Sequence, residues 1–260
     1  MTKTQIAAVL GSILIVLFLY LGFDKIAPDQ KNLEKSRVLS LETTGLSNLI
    51  KDATPTLDND QKSIIEAINL DLKNAGTDTI KKIQILQSLS GKWYQLGFAS
   101  IAGVYADDIA TLQKTEESWS LAGTTYALCV KKSEDQKIRD FCTKRAIKAF
   151  ENAISINPEN MDHRINLAIC YVDNPDKGNP MQGILMLRDL NTQHPKNVAV
   201  LNQLGKLALQ TNQMEKAIER LETSLAIEPN NNNTICLLAS AYKGIGNDAK
   251  AKEFENKCVH

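Results

Sequence analysis

Charge of one sign is missing from this chain. Thirty Lys and Arg balance thirty Asp and Glu, so no global field draws it to nucleic acid or to an acidic partner. Histidine is scarce. His163, His194 and His260 stand alone in sequence, without the i, i+4 spacing or cysteine partners of a metal site, and they read as loop or solvated residues. Paired carboxylates are missing as well: Asp107-Asp108 and Glu116-Glu117 are neighbours on helical patterns, where adjacent side chains point apart and cannot work jointly as acid and base. A dinucleotide loop is absent, because Gly244-x-Gly246 lacks both a preceding strand and a third glycine. These absences point away from an enzyme, a cofactor, a metal, a small-molecule substrate and a nucleic-acid partner. Only 5% of the residues are aromatic, yet 43% of the 260 are hydrophobic, enough for one sizeable domain or two small ones.

What the chain does have is a periodic pattern. In Val198–Asn231, Leu201-x2-Leu204-Gly205-x2-Ala208 is followed by Ala217-x3-Leu221-x2-Ser224-x4-Pro229, with large and small residues at helical spacing on two segments joined by the polar turn Gln210–Gln213. In pattern and in length the segment resembles the tetratricopeptide repeat, a helix–turn–helix with a period of about 34 residues. Such a hairpin cannot bury its apolar face alone and needs stacked neighbours. Downstream, Ile235-x2-Leu238-Ala239-x2-Tyr242, Gly246 and Ala251 repeat the pattern one full period later, without a gap. Upstream, Arg164-x2-Leu167-Ala168-x2-Tyr171 precedes Gly183-x3-Leu187-x2-Leu190-x4-Pro195, with the spacing to the next unit stretched by the turn Asp173–Pro180. Before that, Trp119-x2-Ala122-Gly123-x2-Tyr126 belongs with Ala146-x3-Phe150-x2-Ala153-x4-Pro158. The step from Trp119 to Ala146 exceeds that from Leu201 to Ala217, so a stretch the length of Lys131–Phe141 is inserted between or within these helices. A degenerate unit reads Leu86-x2-Leu89-Ser90-x2-Trp93, Gly97, Ala102-x3-Ala106-x2-Ile109.

The resemblance implies an all-α chain with a right-handed α-solenoid of about five hairpins over 83–260, in units of about 83–115, 116–160, 161–197, 198–231 and 232–260. Residues 26–82 are expected to form a helical stalk and N-terminal cap. Within them, Asp29–Ala53 is weakly amphipathic, Thr54-Pro55 is a break, Asp58–Ala75 is a helix closed by Gly76, and Asp78 caps the next helix. Residues 1–25 hold the candidate membrane anchor. Ile6–Phe23 contains neither charge nor proline, and as a helix it would span about 27 Å, close to a bilayer's hydrocarbon thickness. No small-x-small cleavage site follows in Asp24–Pro28, which favours an uncleaved single-pass helix over a signal peptide.

Function is expected to lie in a surface. In the resembled family the first helix of each hairpin lines a groove for a partner's peptide or helix, through the residue after the one opening the motif and the residue one turn later. Here those positions are Gln87 and Gly91, Ser120 and Thr124, Ile165 and Ile169, Asn202 and Lys206, and Cys236 and Ser240, expected to face solvent. Relatives that clamp a terminal carboxylate place Lys and Asn at these positions in the first unit. This chain departs from that pattern, leaving Asn202 and Lys206, with nearby Asn166 and Gln203, as candidates. Cys129 and Cys142 bracket the inserted stretch and Cys236 and Cys258 lie on facing helices of the last hairpin. Both pairs are candidate disulfides, with reduced core thiols as the alternative, and Cys170 reads as a buried thiol.

The expected function is that of a membrane-tethered adaptor or scaffold that binds a protein partner through the solenoid, in envelope secretion or complex assembly. The alternative is a permanent structural subunit of a larger membrane complex. Basic residues flank Ile6–Phe23 on both sides, so charge does not orient it. The paired cysteines favour an inner-membrane protein with a periplasmic solenoid over a cytoplasmic one.

Overall fold

A computed structural model describes residues 45–259, and every regular element among them is helical. In chain order these are α1 (Leu46–Ala53), a 3₁₀ turn at Thr54–Thr56, α2 (Asn59–Asn74), α3 (Thr79–Gln95), α4 (Ala99–Gln113), α5 (Glu116–Lys132) and α6 (Gln136–Ile156). They continue with α7 (Met161–Asp173), α8 (Gln182–Gln193), α9 (Val198–Gln210), α10 (Met214–Ile227), α11 (Asn232–Gly244) and α12 (Asp248–Lys257). The candidate anchor Ile6–Phe23 and the first part of the stalk, 29–44, lie outside the described residues. Among those described, no helix is long and apolar enough to cross a membrane. Residues Leu49–His260 form one compact unit.

Polar caps set the boundaries. Asp58 and Gln61 form a reciprocal capping box at the start of α2, and the Asp78 carboxylate accepts from the Lys81 N–H at the start of α3. From α6 onward a recurring device separates hairpins: Pro158, Pro195 and Pro229 each follow a helix end, and two residues later Asn160, Asn197 and Asn231 cap the next helix. Proline cannot extend the preceding helix, and the asparagine side chain satisfies an otherwise unpaired N–H of the following one.

Packing follows from the alternation of large and small side chains. From α2 onward consecutive helices pack against each other, and α5, α7, α9 and α11 also touch in succession, forming one row of first helices. Gly205 of α9 receives Leu221 of α10: a Cβ on it would stand 2.7 Å from Leu221 Cγ. Gly123 of α5 receives the Phe150 ring of α6 in the same way, with a closest approach of 2.8 Å. The large residues these glycines admit are fully buried, and that interlock is why one position of each first helix must be small.

Two features differ from a uniform array. The stretch Lys131–Phe141 lengthens α5 and α6, leaving only Ser133–Asp135 between them. Val130, Phe141 and Cys142 extend the buried stripe, Phe141 meets the Tyr126 ring edge-on at 6.1 Å, and Asp135 caps α6. The degenerate unit departs differently: the contact between alternate helices passes here to α4 and α6. Helix α4 is alanine-rich and buried on most of its surface, and Ala106, Ala110, Ala122 and Ala149 form a core cluster that lets the backbones approach.

Candidate functional site

The row α5, α7, α9 and α11 carries the expected groove residues, and their burial sorts them. Thr124, Lys206 and Ser240 are exposed, and Ser120, Asn166, Ile169, Gln203 and Cys236 are half-buried. In the degenerate unit Gln87 and Gly91 of α3 are exposed. Two expectations are corrected. Ile165 and Asn202 are each only 4% exposed. Their position points into the hairpin's own second helix and toward the following repeat. Ile165 shares a core cluster with Leu190. One end of the Asn202 carboxamide is held by the Ser224 hydroxyl at 2.8 Å and the Thr234 hydroxyl at 2.9 Å. The residues turned outward on α9 are Gln203 and, one turn on, Lys206.

Beside Asn202 lies a cleft of about 380 Å³, lined by Asn197, Val198, Ala199, Asn202, Gln203, Glu228, Asn231 and Asn233. The other end of the Asn202 carboxamide, Nδ2, makes no hydrogen bond among the described residues, so this otherwise buried residue presents a donor that solvent reaches. Asn231 Nδ2 donates to Glu228 at 2.7 Å. Five carboxamides and one carboxylate thus supply donors and acceptors side by side, the pattern a peptide backbone presents in return. Gln203 also borders a smaller notch with Ile169, Val172 and Lys206, which joins the two surfaces along α9.

The equivalent junction one unit pair earlier explains why this cleft is open. There Glu116 accepts from Asn157 Nδ2 at 2.9 Å and Asn160 Nδ2 at 2.6 Å, and its Oε1 lies 2.7 Å from His163 Nε2. These hydrogen bonds, Asn157 first, hold the Glu116 carboxyl below its ordinary range. Glu116 and Val198 share a repeat position, as do Asn157 and Glu228, and valine offers no acceptor to Asn231, which donates to Glu228 instead. The expectation of a loop or solvated His163 is corrected: it is 3% exposed and lies on α7. Its repeat position is that of Val200 and Thr234, both fully buried, a signal legible once the register is known. Arg145 binds Asp107 at 2.9 Å, and burial holds the carboxyls of both Asp107 and Asp108 above their ordinary range.

Cys129 and Cys142 are bonded with Cα atoms 6.1 Å apart, and Cys236 and Cys258 with Cα atoms 5.0 Å apart. Cys236 and Cys258 each stand one repeat period beyond Asn202 and Ser224. In the last hairpin a covalent bond therefore replaces the hydrogen bond that the preceding hairpin uses at the same place. Asn232 pairs both ways with the Val259 backbone at 2.8 Å, holding the tail beside it. Cys170 is a buried free thiol, pushed up to about 12 chiefly by that burial.

Residues 198–231 match the family model described as tetratricopeptide repeat. No curated protein matches the sequence. Among solved structures the chain is similar to a MamA protein, at 16% identity over 68% of this chain and 89% of that one, with a TM-score of 0.42. It is similar to MamA from Desulfovibrio magneticus RS-1 at 15% identity, 68% and 92% coverage and a TM-score of 0.43. It is also similar to YrrB, titled a TPR protein with an unusual peptide-binding site, at 17% identity, 75% and 92% coverage and a TM-score of 0.38.

Proposed function

From a chain that carries a tetratricopeptide repeat at residues 198–231, we propose an interaction scaffold that binds an extended segment of a protein partner across α9 and its neighbours. The observation that carries this reading is the carboxamide-lined cleft with the free Nδ2 of buried Asn202 at its wall. That donor meets solvent at the cleft wall, and a peptide carbonyl would take the place of water as its partner. Gln203, Lys206, Thr124, Asn166 and Ile169 extend the same face, and their mixture of amide, cation and half-buried apolar surface suits a neutral backbone better than a terminal carboxylate.

The scaffold is tethered, in this proposal, by Ile6–Phe23 as a single-pass helix in the inner membrane, with the repeats in the periplasm serving envelope secretion or complex assembly. Two cysteine pairs within bonding distance support an oxidising compartment. Residues 26–82 act as stalk and N-terminal cap, followed by a right-handed solenoid of five hairpins in which no residue is catalytic.

Photo-crosslinking in intact cells tests the binding face. A photoreactive residue at Gln203 or Lys206 is expected to capture one protein, and the same residue at exposed Lys73 of α2 is expected to capture none. Capture at Lys73 alone would move the interface to the cap. A partner that leaves the membrane with the chain in fixed stoichiometry under every detergent would favour a permanent subunit.

A further inference from the structure

We infer that the first turn of α4 is a binding site for a small oxyanion, remote from the carboxamide cleft and independent of it. A cavity of about 160 Å³ opens there, bordered by Phe98, Ala99, Ser100, Cys129, Lys132 and Ile138. At about 30 Å³ per water, that is room for a phosphate-sized group.

The donors come from two helices. Phe98 occupies the N-cap of α4 and has no side-chain acceptor, and the first turn contains no acidic residue. The N–H groups of Ala99 and Ser100 make no hydrogen bond among the described residues, although the two residues are only 5% and 8% exposed. A helix end that is both buried and uncapped lacks the partners such ends normally find. Ser100 borders the same cavity, and its hydroxyl also makes no hydrogen bond among the described residues. Lys132 completes the set from the end of α5. Its ammonium lies 5.3 Å from the Tyr94 ring centroid and has no carboxylate partner among the described residues.

Helix α8 shares the uncapped, acid-free start of α4, while the other later second helices do not. Helix α10 carries Glu215 in its first turn, and α12 carries Asp248 together with an Asn247 side-chain cap. At α4 nothing offsets the positive end of the helix dipole, and Lys132 adds a full charge. Glu134 and Asp135 are near in sequence but do not border the cavity, and the Asp135 carboxylate is spent capping α6. Water would satisfy the two N–H groups and leave the charge uncompensated. Bound there, an oxyanion would bridge α4 of the degenerate unit to α5 across their junction.

Inorganic phosphate, sulfate and acetate are the probes. The full chain in detergent micelles is labelled with carbonyl-¹³C alanine and ¹⁵N serine. Only Ala99-Ser100 and Ala239-Ser240 place serine after alanine, so two amides are observed and Ser240 is the internal control. At constant ionic strength the Ser100 amide is expected to shift saturably with phosphate or sulfate, while Ser240 stays still. Lys132→Gln should weaken that binding about fivefold. Ser100→Ala, a small change at a helix start, should reduce the part of the melting-temperature rise that phosphate gives the parent chain beyond chloride at the same ionic strength. Stronger saturation by acetate would identify a carboxylate as the natural group. An unshifted Ser100, parallel drift of both amides, or a response unchanged in both variants would overturn the site.

Discussion

Asn202 and Gly205 lie three positions apart on α9 and make opposite demands on their neighbours. Replacing Asn202 with Ala removes the acceptor of two buried hydroxyls, Ser224 and Thr234, and should destabilise the fold by about 1–3 kcal/mol in urea melts. Gln203→Ala and Lys206→Ala should stay within about 0.5 kcal/mol of the parent while weakening partner capture, because both side chains face outward. A melt in which Asn202→Ala is silent would remove it from the core network. Gly205 tests the interlock. A methyl there meets fully buried Leu221, and the overpacking, about 1–3 kcal/mol, should exceed the gain in helix propensity, about 1 kcal/mol. Gly91 of α3 provides the contrast, with nothing within 4 Å of an added Cβ. There the propensity gain stands alone, so Gly91→Ala should stabilise by roughly 0.5–1 kcal/mol.

At the scale of the helix, the N-terminus of α5 is tied to the following junction by Glu116. Its carboxyl is held below the ordinary value by Asn157, Asn160 and His163, so the ionised form binds the folded state more strongly than the unfolded one. That contribution is complete above the unfolded-state value and is lost as pH falls through the lower folded value. Glu116→Gln should therefore flatten the acid limb of stability, read as urea midpoint against pH, below the ordinary carboxylate range. Parallel limbs for the two proteins would mean that the cluster is not formed in solution. The repeat spacing made Leu86, Leu89 and Trp93 legible as core, and all three are buried. It did not reveal that Lys131–Phe141 would be helical apart from Ser133–Asp135, since spacing counts residues between anchors without saying how the chain covers them. Nor did it reveal Asn202, whose partners lie 22 and 32 residues away. A polar residue at a buried position reads as surface until the register supplies its partners.

For the molecule as a whole, the open question of compartment turns on the ends of the array. An internal hairpin has a neighbour on each side, while the last one has a neighbour on one side only and is prone to fray. Helix α12 buries only Ala251 fully. It is held otherwise by Phe254 stacked on Tyr242 at 5.7 Å, by Lys250 over the same ring at 4.5 Å, and by the Cys236–Cys258 bond. In the chain-entropy model, a crosslink between residues 22 apart contributes about 3 kcal/mol. Breaking it with Cys258→Ser should make the α12 amides the first to exchange while α5 to α9 keep their protection. The same bonds supply the test of location. Cys170 is buried, and its thiol is pushed up to about 12, so it stays protonated and shielded in the folded chain. Natively expressed protein, alkylated before reduction, should present no reactive thiol when folded and a single one after denaturation if the repeats are exported. Five thiols after denaturation would mean that neither bond forms in the cell, and the periplasmic assignment would fall with them unless a reporter fused after His260 is active outside the membrane.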